Sequence, residues 1–367
     1  MNKEAFRPRA SIIIIAYNTE KTIERAIQSA CAQTVKEIEI ICVDDGSTDS
    51  TRTIMQACAV QDVRIRVLTQ PNSGTLAART AGIRQAAGKY TLFLDSDDLL
   101  RPEAVQTACD AADQLGTDVL EFDVELIEDP NNPPKVETMS WLKTYFSQEY
   151  PLPEAAEGPT LVNACFDGQT IKWVLWTKLW RTELLREAVK DYRGEWLCVS
   201  EDQLIILMAL LSAKRYARIE TSLYIYFVGG GMTTMGERFT DPAVIKKWGT
   251  KWLALTLARD WLQRRGCTQD EIASGTASFA RVIRENTVYD LLFRCAPECR
   301  ADYLGWLAQN CTWEELLVVV CEAIEWQESA NERLEWYKES FDIISNSTCW
   351  RMTAPLRFVL DSLKGNR

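Results

Sequence analysis

Short continuous apolar runs alternate with amphipathic segments through the first 125 residues. Ser11 to Ala16, Ile38 to Val43, Ile65 to Thr69 and Tyr90 to Leu94 are strand-length runs rich in β-branched residues. Strands of this kind, apolar on both sides, belong to parallel sheets covered on both faces. Between them, Glu20 to Gln33 carries Ile23, Ala26, Ile27 and Ala30 at helical spacing, and Ser50 to Ala59 and Leu76 to Ala87 read as further helices. The turn before the last of these is Gln70-Pro71-Asn72-Ser73-Gly74. The alternation predicts an α/β class with a Rossmann-like, mostly parallel sheet and flanking helices. From Asp241 the pattern changes to long helical stretches, 243–263, 269–294 and 313–342. Pro242 after a glycine-rich stretch sets an expected boundary near residue 240, giving domains 1–240 and 241–367, the second mainly helical.

In open parallel sheets ligands bind outside the carboxyl ends of the strands. The segments there are Ala16-Tyr17-Asn18, Asp44-Asp45-Gly46-Ser47, Pro71-Asn72-Ser73-Gly74 and Asp95-Ser96-Asp97-Asp98. Three carboxylates within four positions repel one another, which makes sense chiefly around a bound cation, and a metal-bridged diphosphate is the natural partner. Capping of the helix that starts near Arg101-Pro102 is the plainer explanation of Asp98, but Asp95 and Asp97 lie upstream of that cap.

Charge and composition narrow the chemistry. Lys plus Arg total 41 against 52 Asp plus Glu, a net charge of −11, which argues against nucleic-acid binding. The chain has no histidine, so Ser-His-Asp and Cys-His machinery is excluded, and any general base is a carboxylate, Lys, Tyr or Cys. The 12 cysteines are scattered, several of them in apolar segments, and read as free thiols; Cys295 and Cys299 form the one close pair. The polar start and the shortness of the first apolar run give no signal-peptide pattern, and a cytoplasmic protein is expected.

The four strand-end segments, in register, resemble the GT-A-fold inverting family 2 glycosyltransferases of the bacterial surface-polysaccharide type. The match lies in Ala16-Tyr17-Asn18, Val43-Asp44-Asp45-Gly46-Ser47-Thr48-Asp49, Asn72-Ser73-Gly74 with Ala78-Arg79 and Gly82, and Leu94-Asp95-Ser96-Asp97-Asp98. The resemblance implies a nucleotide-sugar-binding half at 10–125 and an acceptor-side half at 126–240. It also implies that Tyr17 flanks the nucleobase and that Asp45 accepts from a base N–H. Arg79 would face the diphosphate. Asp97 would bind Mn2+ or Mg2+, Asp95 would hold ribose or a supporting position, and Asp98 would be a nearby alternative ligand. Downstream, Trp176-Thr177-Lys178-Leu179-Trp180-Arg181 and Glu201-Asp202 resemble the acceptor side, with Asp202 the implied catalytic base. Thr177 stands where the family often has Asn.

The implied reaction is a metal-dependent, inverting transfer from a nucleoside diphosphate sugar, uridine diphosphate first, to a hydroxyl of a glycan or lipid-linked acceptor. Two other readings stay open at this point. A sugar nucleotidyltransferase would share the architecture but should carry a Gly- and Lys/Arg-rich phosphate loop, which Tyr17-Asn18-Thr19-Glu20 lacks; a noncatalytic sugar-nucleotide-binding protein would keep the cleft. Tyr224 to Phe227 reads as a last strand leading into Gly229-Gly230-Gly231-Met232-Thr233-Thr234, either a lid or a surface turn, and relatives often carry a basic residue near Phe227. The segment from Asn346 to Lys364 either forms a basic amphipathic helix on the inner face of the plasma membrane or docks on another domain. Seven of the 13 tryptophans lie between 243 and 342 and read mainly as core. Self-association is left open.

Overall fold

The computed structural model describes residues 8–147, 157–168, 170–197, 199–229, 239–240 and 242–328. The calls on Gly230 to Thr234 and on Asn346 to Lys364 therefore lie outside the described residues. The chain forms two compact units, Met1–Met235 with Ala254–Phe279, and Gly236–Leu253 with Ala280–Arg367.

The first unit is built on one eight-stranded sheet. β1 (Ala10–Ala16), β2 (Ile38–Asp44), β3 (Ile65–Thr69) and β4 (Tyr90–Asp95) lie in the order β3-β2-β1-β4, all parallel. α1 (Ile23–Cys31), α2 (Thr51–Gln61) and α3 (Thr75–Gln85) connect them. Every residue of β2 and all but one of β1 are buried, which is why both read as mainly apolar rather than alternating; the buried Ser11 hydroxyl donates to the Glu39 carboxylate at 2.6 Å. α3 approaches β1 closely because Gly82 has no side chain; a Cβ there would lie 2.6 Å from a methyl of Ile13.

Beyond β4 the sheet becomes mixed. The later elements are β5 (Leu99–Leu100), α4 (Ala104–Leu115), β6 (Val119–Glu128), α5 (Val136–Ser147), α6 (Pro159–Phe166), β7 (Lys178–Arg181), α7 (Thr182–Ala188), α8 (Glu201–Ser212) and β8 (Tyr216–Val228). The order continues β4-β7-β6-β8-β5. β7 is inserted antiparallel between β4 and β6, while β8 runs parallel to β6 and antiparallel to β5. β7 brings a lysine into the core: Lys178 Nζ lies 3.0 Å from the Glu121 carboxylate and donates to the Val174 carbonyl at 2.9 Å. A buried ammonium needs such a set of acceptors, because desolvating it without them costs several kcal/mol.

The described residues of the second unit are mainly helical, while residues 254–279 of the helices named below belong to the first unit. α9 (Pro242–Gly249) packs on α12 (Arg300–Asn310), and a Cβ at Gly249 would lie 2.5 Å from the Trp306 ring. The expected helix 243–263 is broken at Thr250, whose hydroxyl donates to the Lys247 carbonyl, so that α10 (Lys251–Arg264) starts anew. The expected helix 269–294 is α11 (Gln269–Tyr289) continued by a π-helical turn at Asp290–Arg294. Inside this unit Lys251 and Asp290 form a buried ion pair. α13 (Trp313–Glu328) is the last described element. Among the described residues no helix is long and apolar enough to cross a membrane, and the described cysteines are free thiols.

Candidate active site

The carboxyl ends of β1, β2, β3 and β4 meet as the parallel order requires. After β1, Asn18 takes a left-handed conformation (φ 55°), and its side-chain oxygen accepts from Thr48 N–H at 2.8 Å. After β2, the Asp45 carboxylate accepts from Gln70 Nε2 and from the backbone N–H of Ser73 and Gly74, at 2.7, 2.9 and 3.0 Å. Asp45 thus ties the second strand end to the third and keeps little free acceptor capacity. Tyr17 is 48% exposed at the tip of β1, so its ring is open to a ligand rather than packed.

Two glycines let these loops close. Gly46 has φ +78°, and a Cβ there would sit 2.6 Å from the Asn72 backbone nitrogen; Gly74 has φ +87° and faces the Leu197 carbonyl. Gly46→Ala is expected to cost about 2–3 kcal/mol, from strain at positive φ plus a backbone clash. Urea denaturation would measure it.

Arg79 is the centre of charge. α3 is buried almost all round, and Arg79 is only 7% exposed. Its guanidinium lies 3.6 Å from Asp95 at the end of β4 and 3.4 Å from Glu201 at the start of α8. Burial alone would lower its pKa, but Asp95, Glu201 and Asp202 hold it raised and cationic. Leu197, just before α8, receives the Leu76 N–H and the Thr75 hydroxyl through its carbonyl, which docks the start of α8 on the start of α3. The turn into α8 is made by Ser200 in a left-handed conformation, φ 66°.

Asp202 lies beside this pair. Burial first, and then the charge of Glu201, push its carboxyl up to about 7. Burial also raises Glu201, with Arg79 opposing the shift. Asp97 is pushed up to about 6 by burial and by Asp95.

The acidic turn itself divides. Asp95 and Asp97 are half-buried, whereas Asp98 is 0% exposed and turned inward. Asp98 accepts from the Tyr224 hydroxyl and from the Phe227 N–H, each at 2.8 Å, so both oxygens are engaged by β8. The structure therefore brings together Arg79, Asp95, Glu201 and Asp202 and does not place Asp98 with them. Among the described residues no cluster of three or more His, Cys, Asp or Glu side chains is arranged to hold a metal. Two half-buried carboxylates whose proximity raises one pKa nevertheless suit a hard cation that completes its shell with water and phosphate oxygens.

Two residues escaped sequence reasoning. Glu201 reads as a helix-capping acid, and its pairing with a residue 122 positions away carries no local signal. Arg25 on α1 donates to the Asp97 carbonyl and stacks over the Phe227 ring, its guanidinium carbon 4.0 Å from the centroid. The cation missing from the sequence near Phe227 is thus supplied from another helix.

Comparison with known proteins bears on the family and the fold. Residues 11–166 match the family described as Glycosyl transferase family 2. Those residues are a glycosyl transferase family 2 domain. The chain is 31% identical over 221 residues to the uncharacterized glycosyltransferase EpsJ of Bacillus subtilis, covering 60% of this chain and 61% of that protein. It is 28% identical over 225 residues to the succinoglycan biosynthesis protein ExoO of Rhizobium meliloti, covering 61% and 62%. The chain thus spans about three fifths of the length of these curated relatives. Among solved structures, S. aureus TarS 1–349 in complex with UDP-GlcNAc superposes with TM-score 0.60 at 21% identity, covering 86% of this chain and 88% of that one. The chain has the expected GT-A architecture, a mixed sheet of eight strands with flanking helices, together with C-terminal helices.

Proposed function

We propose that the chain transfers a sugar from a nucleoside diphosphate sugar, a uridine diphosphate sugar first, to a hydroxyl of a glycan or lipid-linked acceptor, with inversion. The observation that carries this reading is Arg79, buried between Asp95 on the donor side and Glu201 beside Asp202. A cation held at that junction by protein carboxylates is preorganised to face charge growing on a departing diphosphate. A neighbouring similarity points the same way, since TarS is described in complex with UDP and with UDP-GlcNAc.

In this reading Tyr17 lies against the nucleobase, and Asp45 orders the loop beneath it, with one lone pair left for a base N–H. Asp95 and Asp97 would hold Mn2+ or Mg2+, which when bound supplies Lewis-acid stabilisation of the diphosphate oxygens. Asp98 anchors the turn rather than joining them. Arg79 orients the diphosphate. Asp202, with its carboxyl near neutrality, takes the proton from the acceptor hydroxyl as that oxygen attacks the anomeric carbon and the bond to the diphosphate breaks. One displacement inverts the centre without a covalent enzyme intermediate.

Contact with a membrane surface is proposed as the means of reaching a lipid-linked acceptor. UDP with Mn2+ should raise the thermal midpoint, about 2.7 kcal/mol of added stability at a hundredfold excess over Kd. Tyr17→Ala should weaken UDP about tenfold by calorimetry, through loss of the ring face. A chain whose stability ignores UDP, GDP and their sugars with Mn2+ would sink the proposal.

A further inference from the structure

The Tyr224 hydroxyl sits between two members of the acidic turn. It donates to Asp98 Oδ2 at 2.8 Å and accepts from the Asp95 N–H at 3.0 Å. The residue is fully buried, and its ring stacks on Trp176 with centroids 4.5 Å apart and planes at 27°. Three residues further along β8, the Phe227 N–H takes the other Asp98 oxygen, while the Phe227 ring carries the Arg25 guanidinium that binds the Asp97 carbonyl. The turn is thus held at Asp95 and Asp98 by β8, which is not its sequence neighbour, and at Asp97 by Arg25 of α1, stacked on a ring of that strand.

A four-residue turn carrying three carboxylates resists close packing of Asp95 and Asp97, because their mutual repulsion favours splaying toward water. Something must hold the backbone against that repulsion. The short β5, of two residues, cannot do so by ladder bonds alone. Asp98 is buried where a carboxyl is costly unless fully hydrogen-bonded, and Tyr224 and Phe227 supply that bonding.

We propose that Tyr224 is a positioning residue, with Asp98 as its anchor, that fixes the spacing of the Asp95 and Asp97 carboxylates for a divalent cation bound with a nucleoside diphosphate. The proposal rests on the donor-binding reading above and assigns Asp98 to the support of the site rather than to the metal. Trp176 serves the same end by fixing the Tyr224 ring.

The test is titration calorimetry of Mn2+ together with UDP on the full chain and three variants. Tyr224→Phe removes one hydroxyl and keeps the stacked ring; it should weaken Mn2+–UDP about tenfold. Thr91→Val is the control. It removes a buried hydroxyl from β4, bonded to Thr182 at 2.9 Å, and should lower the thermal midpoint by a similar amount while leaving Mn2+–UDP affinity unchanged. Asp98→Asn should resemble Tyr224→Phe. Equal affinity in Tyr224→Phe and wild type overturns the proposal, as does loss of Mn2+ binding in Asp98→Asn alone, which would make Asp98 a ligand. Failure of the wild type itself to bind Mn2+–UDP would instead overturn the donor-binding reading.

Discussion

Asp202→Asn is expected to lower kcat for sugar transfer by about 10²–10⁴-fold while leaving UDP affinity nearly unchanged, the loss typical of a removed general base. The carboxylate is isosteric with the amide, so the variant keeps the shape of the α8 start but cannot take a proton. The wild type should also show the acid limb that goes with this role. Its Asp202 carboxyl is pushed up to about 7, so kcat/KM should fall below about pH 7 as the base becomes protonated. The same shift has a stability signature with a definite sign. The folded state keeps the proton in the window from the ordinary aspartate range, near 3.8, to about 7, whereas the unfolded chain has lost it. Raising pH through that window therefore destabilises the fold, because the native state must give up a proton it prefers to hold. Asp202→Asn removes this penalty, so the variant should melt higher than wild type near pH 8 and lose that advantage toward pH 4. A variant with full transfer activity, or a wild type whose activity is flat from pH 6 to 8, would remove Asp202 from the mechanism.

Arg79→Ala should produce the largest combined effect on stability and activity. Removing the guanidinium leaves Asp95, Glu201 and Asp202 crowded with no cation among them, and breaking one side of a buried ion pair costs about 3–5 kcal/mol. Loss of the same charge at the diphosphate should lower kcat by about 10²–10³-fold. Glu201→Gln separates the two effects. In the Arg79→Ala background it should restore part of the stability, since one buried carboxylate no longer lacks its partner, while activity stays low. Denaturation of the two single variants and the double variant gives the coupling energy directly. Additive losses, with no recovery in the double variant, would mean that Arg79 and Glu201 do not form the pair that the 3.4 Å separation indicates.

Much of the fold was legible in the chain itself. β1 and β2 are buried along nearly their whole length, so burial wrote itself into the sequence as segments dominated by Ile, and the strand ends followed at Ala16, Asp44 and Asp95. Local rules also mark Gly74 as a turn residue, where the chain takes a positive φ. The long helices were less well read. The break falls at Thr250, whose hydroxyl bonds the Lys247 carbonyl, and no periodicity within the helix announces it.

The sequence by itself determined which segments become strands, which of their ends carry carboxylates, and that no histidine takes part, because these depend on the pattern and identity of neighbouring residues. Only the tertiary structure decided that β7 enters the sheet antiparallel beside β4, that Arg79 is buried against Glu201, and that Asp98 turns inward to Tyr224 while Asp95 and Asp97 stay half-open. Each of those choices joins residues many tens of positions apart. Their energy comes from desolvated charges finding partners across the fold, a term that does not exist until the chain has closed.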